Sequence, residues 1–315
     1  VIEMDSSRLT ISAAGYSLTG TGSITGTDTL YVNAPATLAV SNQLAGGAII
    51  NTSALTLAHA SPATKLKLNV DKTYLNLEPN GAFSTPIEGM GGELFIKASV
   101  GANYSPIITN SSVVNLELPV SGSKSNYWVG SFPKHTAQLN VISSEEGMKA
   151  PTGFAVNESV LDSVKVHLGD NVRMIRYYNE NDNGNSTIRI GELTGSPNSF
   201  IEGGYVNGRA CGYEIGSLGT DAVFDGSIRP YLSRVYEGAV IDSSTMERLP
   251  DSLAWSISGL KLSKVGKGSW TVNGKITMPN PTATKRYNAI IAKEGILILS
   301  QKIAFSSDSV PHLIQ

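Results

Sequence analysis

TLAVSNQLAGGAIINTSALTLAHA, residues Thr37–Ala60, decides the fold. Apolar residues alternate with small polar ones for a few positions, and then Gly, Asn or Ser closes the phrase. That is the two-residue period of a half-buried strand, and no helix period runs through it. Strands this short cannot close a core alone. They must stack on themselves as a solenoid, or on copies of the same chain.

The same phrasing fills the first seventy residues. From Leu9 it reads LTIS, YSLTG, GSITG, DTLYVN, ATLAVSN, GAIIN, ALTLAH and KLKLNV. Apolar anchors recur at Leu9, Leu30 and Ile49–Ile50, about twenty residues apart, with two smaller phrases between. That is the length of a three-strand solenoid rung. Residues 1–66 are therefore expected to form a short β-helix-like or interwound β stem. Thr37–Ala60 resembles the rungs of parallel β-helices in secreted adhesins and in bacteriophage fibres and spikes. The resemblance is one of layout and composition and covers about one fifth of the chain. It implies an attachment protein on a virion or extracellular surface, typically a homotrimer. One end would be anchored to other virion or surface proteins, and the other would recognise a host-surface glycan.

Beyond the stem the expectation is antiparallel. KASV, NLELPV, NYWVGSF and AQLNVIS follow one another at the spacing of a β-sandwich, which places one sandwich at 67–143. A polar, Gly- and Pro-bearing stretch at 144–153 reads as a linker. A second sandwich is expected at 154–315, with a subdivision near 243–252. In it, Val172–Leu193 reads as a hairpin turning at Asp182-Asn183-Gly184. Two further hairpins are expected around Asn273-Gly274 and Lys293-Glu294-Gly295, and one helical turn at Ser243–Leu249. In SVKVHLGD, Val164, Val166 and Leu168 share one face, and Lys165 and His167 the other.

Composition narrows the function. Charged residues make up 16%, below the usual quarter of a soluble chain, as all-β and surface-assembly proteins tend to have. The single cysteine, Cys211, excludes an intramolecular disulfide framework. No apolar run approaches the ~18 residues of a membrane helix, so no membrane insertion is expected. Charge is uneven. Residues 252–315 hold eight basic residues against two acidic ones, a balance of +6, whereas the remainder holds 16 against 24, or −8. That asymmetry suits subunit contacts. The basic residues lack the aromatic interleaving of a nucleic-acid binder, and no nucleic-acid partner is expected.

No catalytic residue, metal site or cofactor is read from the chain. There is no GxSxG or HExxH. Asp162, His167 and Asp170 lie close in sequence without a second ligand cluster. Asn179, Asn181 and Asn183 approach the spacing of a calcium loop, but Ile190 stands where the bidentate Glu belongs. Glycoside hydrolysis needs two facing carboxylates, and none lies between Asp28 and Asp71. Glu88, Glu93, Glu202, Glu214 and Asp225 remain without an evident pairing. A shallow glycan site needs exposed rings beside amides and carboxylates. Tyr177, Tyr178, Asn181 and Asp182, on the expected hairpin tip, are the sequence-based binding residues. The alternative roles are a capsid shell or decoration subunit, or a secreted adhesin or surface-filament subunit.

Overall fold

The computed structural model describes residues 2–4, 8–79, 81–99, 103–119, 127–128, 136–144, 152–156, 161–176, 187–202, 211–229, 260–278, 288–305 and 312–314. Every regular element among them is a β-strand, and every strand pair is parallel. The chain divides into two compact units, 1–119 with 126–140, and 120–125 with 141–315.

In the first unit the chain visits three sheets in turn and returns to each one strand further along. Leu9, Leu30, Ala48, Leu66, Ile87 and Ile108 are register partners in succession, in steps of 21, 18, 18, 21 and 21 residues. The anchors read from sequence sit on this ladder, with Tyr31 facing Ile49 and Val32 facing Ile50. A second sheet stacks Tyr16–Leu18, Ala36–Leu38, Ala54–Leu57, Lys72–Leu77, Glu93–Ala98 and Val113–Leu118. A third holds Ile2–Met4, Ser23–Gly26 and Ser41–Leu44, and later rungs add Phe83, Tyr104 and Trp128 at its corner of the coil. Alternation sends one side chain of each pair inward. Leu38, Leu57, Leu77 and Ala98 line up as one buried column, and Leu55, Leu75, Ile96 and Leu116 as another. Each aliphatic so buried contributes about 1.5–3 kcal/mol, which no single three-residue strand could gather alone.

The second unit alternates between two sheets. One stacks Thr152–Val156, Val172–Arg176, Phe200–Glu202, Ser227–Arg229, Ile276–Met278 and Ile303–Phe305. Arg173, Phe200 and Ser227 follow at 27-residue steps, as do Ile276 and Ile303. The other begins with Leu161–Leu168 and Thr187–Gly195. It then splits into paired short strands: Cys211–Ile215 with Ala222–Phe224, Leu260–Lys264 with Ser269–Val272, and Asn288–Ala292 with Ile296–Leu299. Trp270 fills the interior against Phe224 and donates its indole N–H to the Leu193 carbonyl at 3.0 Å. Val164, Val166 and Leu168 are buried, while Lys165 is exposed and His167 half-buried.

The antiparallel β-sandwiches expected at 67–143 and 154–315 are not what forms. Val172–Arg176 and Thr187–Gly195, expected to be hairpin partners, belong to different sheets. So do Ser269–Val272 and Ile276–Met278. Asn288–Ala292 and Ile296–Leu299 share a sheet but pair with other strands, not with each other. The physical reason is that alternation of buried and exposed residues is common to a sandwich strand and a solenoid strand, whereas pairing direction is set by where the chain goes next. Ser243–Leu249 lies outside the described residues.

Candidate functional site on an outward face

The outward residues of three consecutive strands in the first unit bring rings, amides and charges together on one face. KTYLNL, ELFIKA and VVNLEL bury Leu75, Leu77, Leu94, Ile96, Ala98, Val114, Leu116 and Leu118. The same pleat turns Lys72, Tyr74 and Asn76, then Glu93, Phe95 and Lys97, then Asn115 and Glu117 outward. Parallel register aligns them across the strands. Lys72 faces Glu93, Tyr74 faces Phe95, and Asn76 faces Lys97. Phe95 then faces Asn115, and Lys97 faces Glu117.

The rings of Tyr74 and Phe95 stack with centroids 4.6 Å apart and planes 15° apart. That is close to the ~4.8 Å advance of one strand, so the ring faces look along the coil. The Lys72 ammonium lies 4.7 Å from the Phe95 centroid and 3.4 Å from a Glu93 carboxylate oxygen. The Tyr74 side chain, and after it Glu93, hold the Lys72 pKa above its ordinary value, so it is a cation throughout the physiological range.

An amide chain continues from Glu93. Asn115 Nδ2 donates to Glu93 Oε1 at 2.8 Å, and Asn140 Nδ2 donates to Asn115 Oδ1 at 2.8 Å. Gln138 Nε2 donates in turn to Asn140 Oδ1 at 2.9 Å. All three amides thus orient their donors toward one carboxylate. Beside them Lys97 pairs with Glu117 at 3.3 Å, and Asn76 Nδ2 donates to Glu78 Oε1 at 2.6 Å. The arrangement can offer ring faces, amides and a phenol hydroxyl to a ligand, with Lys72 and Lys97 paired to carboxylates and Glu78 held only by a neutral amide.

Of the remaining carboxylates singled out in the sequence, Glu202, Glu214 and Asp225 are held by their own partners. Glu202 is fully buried between Arg229, at 2.7 Å, and Arg173, at 3.3 Å, with the Arg229 guanidinium over the Phe200 ring. Glu214 is paired with Arg189 and Lys293. Asp225 accepts from Asn273 Nδ2 at 2.7 Å, and Glu88 is exposed. Among the described residues no three His, Cys, Asp or Glu side chains gather as a metal site. No helix among them is long and apolar enough to cross a membrane.

Tyr177, Tyr178, Asn181 and Asp182 lie outside the described residues, as does most of the asparagine-rich run around them. The strands flanking that run belong to different sheets. Sequence reasoning missed the Tyr74–Phe95 surface, although a signal was present. Tyr74 and Phe95, and likewise Lys72 and Glu93, are 21 residues apart, which continues the period of the N-terminal anchors. No family model, curated protein or solved structure matches the chain.

Proposed function

We propose that the chain is a non-enzymatic structural and attachment protein of a virion or extracellular assembly, built as a β-helical shaft like a phage fibre or spike component. Its attachment surface is the outward face around Tyr74 and Phe95, and its partner there is a host-surface glycan. The observation that carries this role is the stacked ring pair set in a continuous amide–carboxylate network. Sugars are bound by apolar ring faces together with planar amides and carboxylates. Glu93, Glu117, Glu202, Glu214 and Asp225 are each engaged by a base or an amide, which supports recognition rather than cleavage.

The test is to add purified protein to host cells and to their extracted polysaccharide. Binding without release of reducing sugar is expected. Sugar release would overturn the non-enzymatic assignment, and absence of binding would overturn attachment.

A second role, as a subunit held against further copies of itself, is favoured by a specific surface. In the second unit Ile296 and Ile298 are exposed, with exposed Val223 one strand further in across Thr271, and among the described residues no strand covers the outer edge of Ile296–Leu299. Open apolar edges pair with other chains unless they are guarded. A homotrimer is the proposed assembly. Mass photometry of the native chain and of Ile298→Lys should show the oligomer weakened by the substitution, and a wild-type monomer would remove this role.

A further inference from the structure

On the glycan-binding reading above, we infer that a neutral pyranose ring stacks on the free face of Tyr74, on a shelf made by Ala54 and Thr56. The register carries the argument. Tyr74 lies between Phe95 on the following strand and Ala54 on the preceding one. Phe95 covers one face of the Tyr74 ring. Ala54 reaches no further than its Cβ, so the other face stands above a step, and Tyr74 remains 46% exposed. Beside Ala54, Thr56 occupies the position facing Asn76, and Thr37 the position facing Thr56. The floor of the step is therefore one methyl group with the two threonines on one side of it, and its wall is an aromatic face. A pyranose presents the matching pair of surfaces, a patch of axial C–H groups and a rim of hydroxyls.

Charge decides the class of sugar. The charged groups bordering the step are already engaged, Lys72 with Glu93 and Lys97 with Glu117. Glu78, which accepts from Asn76, leaves a negative charge beside the step. A uronate or sialate would meet that carboxylate with the bordering lysines, Lys72 and Lys97, already paired to glutamates, and a neutral hexose or N-acetylhexosamine would not. Glu78 and the Asn76 amide can instead take sugar hydroxyls.

The experiment titrates the intact chain with neutral gluco-, manno-, galacto- and chito-oligosaccharides and with uronate-containing oligomers, read by saturation-transfer NMR. Cell binding is measured in parallel. A neutral oligosaccharide should bind, with Tyr74→Ala weakening it at least tenfold. Ala54→Phe should weaken it as much by filling the step while keeping Tyr74, and it places a strand-forming residue on an outward position, so it tests the step without depending on the loss of a side chain. Tyr16→Ala, which removes another exposed tyrosine of the same sheet, should bind as wild type. Wild-type affinity in both Tyr74→Ala and Ala54→Phe would overturn the step while leaving attachment intact. A preference for uronate oligomers would overturn the neutral class. Loss of both oligosaccharide and cell binding in the wild-type chain would remove the attachment reading itself, and the step with it.

Discussion

Lys264 stands in register with buried Ile215 on one side, beyond which lies Ile190, and with exposed Ala292 on the other. It is fully buried, and its ammonium donates to the carbonyls of Val265, at 2.5 Å, and Gly266, at 2.7 Å. Burial lowers its pKa, with Glu294 and then Asp221 acting against that shift. Lys264→Met keeps the length of the side chain but leaves two carbonyls without their donor. It should cost roughly 1–3 kcal/mol in urea unfolding, the usual penalty for an orphaned buried acceptor. His167 provides a second test at this scale. Burial lowers its pKa from 6.5, with Asp170 acting against the shift, and Nδ1 lies 2.9 Å from Thr194 Oγ1. A base whose folded pKa is depressed is protonated more readily when unfolded. Stability should therefore fall as pH drops below 6.5 and level off below the depressed folded value. His167→Gln should flatten that slope, and a His167 NMR titration midpoint at or above 6.5 would refute the assignment.

At the scale of the element, Asn273-Gly274 shows why pairing direction was not legible. Asn-Gly ahead of an alternating run is the strongest short-range hairpin signal, because a type I′ turn needs positive φ at both residues. Neither residue has positive φ here. Gly274 is required for a different reason. A Cβ on it would lie 2.0 Å from the carbonyl oxygen of Gly226 on the preceding rung. Glycine thus marks close stacking of two corners, and its sequence signature is the same as that of a turn. Gly274→Ala should cost roughly 1–3 kcal/mol through backbone displacement. It should also speed amide exchange in Ile276–Met278, and unchanged exchange there would show that the corner gives way freely. What the sequence did carry was strand content and, in the first unit, the rung period. Lys72, Tyr74 and Asn76 were readable as outward residues from alternation alone. Their meeting with Glu93, Phe95 and Lys97 depends on register, which only the continued 21-residue step reveals. In the second unit the steps of one sheet are 20, 27, 27, 48 and 27 residues and the other sheet splits its later strands in two, so no short period was there to be read.

At the scale of the molecule, stacked rungs couple chiefly to their neighbours, so damage should stay local rather than unfold the chain as a whole. Glu202 tests this most severely. It joins three successive strands, because Arg173 and Arg229 reach it from the strands on either side and the Tyr213 hydroxyl donates to its carbonyl at 2.7 Å. Glu202→Ala removes a buried anion that pairs with two guanidinium groups. The expected cost is about 3–5 kcal/mol, as for other broken buried ion pairs. Amide exchange should accelerate in Val172–Arg176, Phe200–Glu202 and Ser227–Arg229, whereas Ala48–Ile50 and Leu66–Leu68 in the first unit should keep wild-type rates. Equal acceleration in both units would mean that the chain unfolds as one cooperative body, and nearest-neighbour stacking would then be the wrong description of its stability.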